Sequence, residues 1–209
     1  NLVNQDMRAA FLLLMILFVL SHAACKRPMT AMTEVHKGRQ ALIAGKAQAA
    51  LAHFRRATEI DPDFLYFSTL PQSAVTYTGR ALYQLGRFSE ARQAFEQATL
   101  RFADDAMAPL YLGVTLVREG HREQGLQETT AGLKAIYQWL DYIEANLPQG
   151  IYWDSNREIR SEIERVLKQM PERRLSIEQL IETAEWVGNR MEWEIDAARR
   201  DEQMSRNRE

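Results

Sequence analysis

Three stretches of this chain align on one another by their small residues, and that self-similarity restricts the fold more than any other feature. Residues 38–62, GRQALIAGKAQAALAHFRRATEIDP, match 79–104, GRALYQLGRFSEARQAFEQATLRFAD, with Gly38 on Gly79, Gly45 on Gly86, Ala50 on Ala91, Phe54 on Phe95 and Ala57 on Ala98. A weaker third copy places Gly113, Gly120 and Gly125 in the same slots. The third copy follows the second at an offset of 34 residues, and the second follows the first at 41, so seven residues are inserted between the first two. A period of this size marks a supersecondary unit that buries its apolar face only by stacking on its neighbours.

Alternating runs of strand formers are scarce, while Ala, Leu, Glu, Gln and Arg recur at helical spacing, so the expected class is all-α. The 209 residues, 46% of them apolar, suffice for one domain with its own core. Cys25 is the sole cysteine, so packing must hold the fold without an internal disulfide. With 26 Lys and Arg against 28 Asp and Glu, the chain lacks the basic excess that a nucleic-acid surface uses to release counterions. No nucleic-acid partner is expected.

The repeated slots resemble those of the tetratricopeptide repeat family. Gly38 with Ala50, and Gly79 with Ala91, are the small residues that let two antiparallel helices approach; Gly45 and Gly86 turn the chain; Phe54 and Phe95 fill the gap to the next hairpin. Pro62 ends the second helix of the first repeat by removing a donor and clashing with the preceding turn. Ala103 stands in that place in the second repeat, which predicts a longer or looser helix end. The third repeat departs further, with Thr129 in the aromatic slot and Gly132 in the last Ala slot.

The resemblance implies a solenoid of about three helical hairpins whose concave wall, lined by the first helix of each, receives a partner polypeptide. Its groove positions fall on Met32, Val35, Arg39 and Leu42, on Ser73, Thr76, Arg80, Tyr83 and Gln84, and on Met107, Leu110, Val114 and Arg118. Of these, Arg39, Thr76, Arg80, Tyr83, Gln84 and Arg118 are the candidate partner-binding set. Three guanidinium forks on one wall suit carboxylates or an acidic segment, with Tyr83 adding contact area. The alternative is that the arginines pair with acidic neighbours on adjacent helices. The insertion DFLYFSTLPQ adds Phe64, Tyr66 and Phe67, with Leu70, as either an exposed anchor or a cover over the first repeat, and Trp153 in IYWD poses the same choice.

Beyond the third repeat, Leu126, Leu133, Leu140 and Leu147 recur every seven residues with Ile136 and Ile143 between them, which predicts one helix of about 25 residues. Its stripe either closes the solenoid or faces a second copy, which leaves a homodimeric structural subunit as an alternative. Two further helices are expected: one opened by Ser155 and Glu158 at capping-box spacing, with Ile159, Ile163, Val166 and Met170 on its inner side; the other opened by Ser176 and Gln179, with Ile177, Leu180, Ile181, Ala184, Val187, Met191 and Ile195 inward. They are expected to cap the open end of the stack, giving a domain over 33–200 and a charged tail over 201–209.

The N-terminus has the layout of a secretory signal. From Met7, one basic residue, Arg8, precedes about twelve apolar residues and then the small residues of SHAAC, too short a run for the roughly twenty that span a bilayer. Residues 1–6 are expected to lie upstream of a true start at Met7. SHAAC resembles the lipobox of bacterial lipoproteins, with lipidation at Cys25 after removal of 1–24, a tether over 25–32, and Lys26 implying the outer membrane. His22 departs from that pattern, and cleavage after Ala23 is the competing reading. Both place the mature chain outside the cytoplasm.

No catalytic motif stands out. His36, His53 and His121 lack partners at metal-ligand spacing, and phosphate-loop, nucleotide and nucleophile-elbow signatures are missing, so neither metal nor cofactor is expected. The sequence therefore reads as a non-catalytic adaptor or assembly factor of the bacterial envelope that binds other envelope proteins or peptides, anchored by an N-terminal lipid. The lesser alternative is a hydrolase or carrier with a pocket among the C-terminal helices.

Overall fold

The computed structural model describes residues 29–67, 70–170 and 176–206. Helix α1 covers 29–43 and α2 Ala47–Ile60; a short antiparallel hairpin, β1 (Leu65–Phe67) and β2 (Pro71–Ser73), leads to α3 (Ala74–Gln84), α4 (Phe88–Arg101), α5 (Met107–Arg118) and α6 (Arg122–Asn146). A 3-10 turn at Pro148–Tyr152 then precedes α7 (Glu158–Gln169) and α8 (Ile177–Arg206). Helix α1 therefore takes in the second half of the segment expected as a tether. The signal region, Cys25 and Lys26 lie outside the described residues.

Each repeat becomes a helical hairpin for local reasons. Gly45, Gly86 and Gly120 have φ of +69°, +71° and +92°, a conformation that costs glycine nothing and other residues much. The following amide reaches back each time: Lys46 N–H to Ala41, Arg87 N–H to Leu82 and His121 N–H to Leu116. A Cβ built on Gly79 would stand 2.6 Å from Phe95, so glycine is what admits the ring between the two helices. Phe54 then stacks on Tyr77 of the next hairpin at 5.0 Å, and Phe95 on the equivalent Tyr111 at 5.8 Å. The third hairpin closes differently. With Thr129 in the aromatic slot, a Cβ on Gly113 would run into the Thr129 backbone and one on Gly132 into Leu110, so α5 and α6 touch backbone to backbone.

Helix α4 does not run on where proline is absent. It ends at Arg101, the residue equivalent to Ile60, because Phe102 turns inward and packs with Val75, Ala98 and Ala108. The insertion also takes a form the all-α expectation omitted. It pairs Leu65 with Ser73, Tyr66 with Gln72 and Phe67 with Pro71, and it buries Phe64, Tyr66 and Leu70.

The C-terminal third supplies most of the departures. Helix α6 has the expected 25 residues, but Leu133, Ile136, Leu140 and Ile143 are buried inside the chain, so the stripe is covered and does not face a second copy. Helix α7 is not capped by Ser155. The Asp154 carboxylate accepts from the Ile159 and Arg160 amides at 2.9 and 3.1 Å and also pairs with the Arg160 side chain. Ser176 and Gln179 do form the reciprocal box that opens α8. That helix, expected to cap the end of the stack, instead runs along its concave wall. Leu180, Ile181, Ala184, Val187, Met191, Ile195 and Ala198 are buried on its inner side.

Candidate functional site

The docking of α8 decides the fate of the predicted groove. Glu192, on the inner face of α8, is 1% exposed and sits between the two repeat-equivalent arginines. Arg39 Nε donates to Glu192 Oε2 at 2.7 Å, and its Nη2 donates to the Glu192 carbonyl at 3.1 Å. Its Nη1 serves Tyr66 and Asp196, each at 3.2 Å. Arg80 Nη1 donates to the other Glu192 oxygen and to Gln72, and Nη2 donates to the Gly188 carbonyl at 3.2 Å. Gln72 Nε2 donates to the same carboxylate at 3.1 Å. Rings complete the shell, with Arg39 over Tyr66 and Arg80 over Tyr111 at 5.0 and 4.8 Å from the ring centres. Burial alone would push the Glu192 carboxyl up; Arg80 and Arg39 outweigh it and hold it below the usual carboxylate range. Burial likewise opposes charge on both arginines, and Glu192 helps to hold their protons more firmly than usual.

Arg39 and Arg80 are thus not open to a partner, because the chain supplies their carboxylate itself. Thr76 is also withdrawn. It is buried, donating to Asp105 Oδ2 at 2.6 Å and accepting from the Ser73 hydroxyl at 3.0 Å. Ser73 caps α3, and its amide donates to the same carboxylate at 2.7 Å, which ties the hairpin to the α4–α5 turn. Phe64, Tyr66 and Trp153 are buried rather than displayed. Tyr66 accepts from Arg39 and Arg199, and Trp153 meets Trp139 edge to face at 5.0 Å. The Phe67 side chain and Cys25 lie outside the described residues.

The other end of the wall remains open. Tyr83 donates to Glu185 Oε1 at 2.5 Å, and Arg118 reaches Tyr83 and Glu185 at 3.3 and 3.2 Å. Burial, then the Glu185 acceptor, pushes the Tyr83 hydroxyl well above its ordinary range. Between this cluster and the α1 and α3 turns lies a cleft of about 680 Å³, lined by Arg80, Tyr83, Gln84 and Arg118 from the wall, by Leu42 and Phe88, and by Glu185, Asn189 and Trp193 from α8. Trp193 is 56% exposed, unusual for so large an apolar side chain. Of the groove positions read from the sequence, Leu42, Arg80, Tyr83, Gln84 and Arg118 line this cleft, whereas neither Glu192 nor Trp193 was named. The available signal was a carboxylate at 192 inside the apolar face of α8, beside Met191 and one turn before Ile195.

Residues 41–111 match the tetratricopeptide repeat family model. That span runs from the end of α1 through α2 and the whole second hairpin, and it stops inside α5, where the third repeat departs. Comparison with curated proteins and with solved structures gave no match. Tetratricopeptide repeats generally mediate protein–protein interaction, and domains of the family are typically non-catalytic. Among the described residues, no group of three or more His, Cys, Asp or Glu side chains is placed to hold a metal, and no helix is long and apolar enough to cross a membrane.

Proposed function

We propose that this chain is a non-catalytic adaptor of the bacterial envelope, exported by the signal at 7–24 and held at a membrane by lipid on Cys25, which captures a segment of another envelope protein. The observation that carries this reading is the cleft between the tetratricopeptide wall and α8, where Gln84, Arg118, Asn189 and Trp193 stand at an open surface. Aromatic and Arg anchors at the centre of a concavity are what protein recognition uses. The charged groups there suit holding rather than turnover. Glu192 is kept ionised by two guanidinium groups and is a poor proton acceptor, and neither arginine yields a proton near neutrality.

A photo-reactive amino acid placed at Gln84 in living cells tests the reading. It is expected to capture one envelope protein, which a probe at Leu100 on α4, 89% exposed and away from the cleft, does not capture. Equal capture from both positions, or none from Gln84, overturns it. Metabolic labelling with palmitate tests the anchor: lipid incorporation that Cys25→Ser abolishes is expected, and a soluble unlabelled chain with a free thiol overturns it.

A further inference from the structure

The geometry points to a lipid bilayer as what lies against one end of this molecule, the end formed by the start of α1 and the close of α8. The inference rests on the lipid at Cys25 proposed above and names the face which that lipid brings to the membrane. Met29, where α1 begins, is four residues after Cys25. A chain of that length spans about 14 Å at most, so an acyl group inserted at Cys25 holds the first turns of α1 at the headgroups. What α1 shows there is apolar. Met29 and Met32 are 67% and 47% exposed and lie on one side of the helix at i, i+3 spacing.

Helix α8 brings a third methionine to the same end. Arg39 pairs with Glu192 and, one turn on, with Asp196, while Leu42, one turn later in α1, shares the cleft with Asn189, one turn earlier in α8. The two helices are therefore antiparallel. Ten residues back from Arg39 reach Met29 and eight on from Asp196 reach Met204, roughly 15 and 12 Å along the two axes. Met204 is 51% exposed, so every exposed methionine among the described residues is found at this end. Scattered singly, such side chains need no explanation; three gathered where the chain leaves toward its anchor do. Methionine is flexible and polarisable and conforms to an irregular surface such as the headgroup boundary. Arg200, one turn before Met204 on the same side, is exposed without an ion pair among the described residues, and Lys26 and Arg27 precede α1. These cations suit lipid phosphates and stand against Asp201 as the exposed acid beside them. The anchor decides between a bilayer and a second copy, because it fixes this end at the membrane whether or not a copy is present. The cleft is turned the other way: Leu42 stands thirteen residues along α1 from Met29, so with α1 upright the cleft opens about 20 Å above the headgroups.

Cys25 is the sole cysteine, so a lipid on its sulfur leaves an introduced thiol as the one that takes a maleimide dye. The full lipidated chain carrying Met32→Cys, Met204→Cys or Ser89→Cys is labelled with an environment-sensitive dye and reconstituted in phosphatidylethanolamine and phosphatidylglycerol vesicles with brominated acyl chains. Ser89 is exposed at the start of α4, at the cleft end. The dyes at positions 32 and 204 are expected to lose most of their emission to bromine, and the dye at position 89 to keep it. Quenching at 32 without quenching at 204, at neither, or equally at 89 overturns the surface. A blue shift at 32 and 204 without quenching marks a second copy there and also overturns it. Dye taken up by the parent chain reveals a free Cys25 thiol, which overturns the anchor and this surface with it. The photo-capture at Gln84 reports separately on the cleft.

Discussion

Arg39 and Arg80 at one end of the concave wall and Arg118 at the other arose from the same projection of the repeat, yet they meet opposite fates. The first two are covered and share one carboxylate under α8; the third keeps 45% of its side chain exposed and meets Glu185, itself 33% exposed. The difference lies in where α8 approaches. Gly188 sits against the Tyr111 hydroxyl, which lets α8 come close enough for its carbonyl to accept from Arg80. At Arg118 the helix stands off behind Glu185 and Asn189, and the space between is the cleft. An inward-facing row of arginines is therefore no measure of an open binding wall, since a chain can answer its own repeat surface.

The largest expected effect tests the closed end. Glu192→Ala strands two buried guanidinium groups and is expected to lower the unfolding free energy by about 3–5 kcal/mol in urea titrations. A loss below about 1 kcal/mol would mean that water reaches the pair and that the two ends of the wall do not differ.

A pH series sharpens the contrast. Because the folded carboxyl of Glu192 lies below its ordinary 4.5, its contribution is fully present above that value and fades as pH falls through the folded one. Asp105 and Glu194, which burial pushes up, act with the opposite sign: their contributions are present in acid and fade as pH rises. The informative quantity is the difference between the parent and Glu192→Gln across the acid range. That difference should shrink toward low pH, and a flat one would remove Glu192 from the acid response.

The smallest effect belongs to the open end. Arg118→Ala, with solvent screening its pair, is expected to cost no more than about 1 kcal/mol by the same urea titration. A cost comparable to that of Glu192→Ala would show that Arg118 is as much a part of the core as Arg80.

Much of the repeat architecture was legible. The three glycine turns, the aromatic stacking of Phe54 and Phe95, the length of α6 and the Ser176 box all depend on residues within a turn or one repeat of each other, where spacing alone sets the geometry. The site was legible only in part. Tyr83, Gln84 and Arg118 were placed on the cleft, whereas Thr76 was assigned outward although its hydroxyl serves Asp105, 29 residues away in the chain. Likewise, the Ser155 box failed because Asp154, one residue earlier, accepts from two α7 amides and Arg160 at once.

What the sequence determined by itself was therefore the unit: a hairpin with a glycine turn, a small-residue seam and a ring aimed at its neighbour, repeated at a readable period. Tertiary structure alone decided which surface stayed free. The carboxylate that Arg39 and Arg80 share lies 153 and 112 residues away from them, and no local spacing relates it to either. A carboxylate within an apolar helix face is tolerated only where a distant cation meets it, and that meeting was fixed by how α8 packs its buried side chains along the wall.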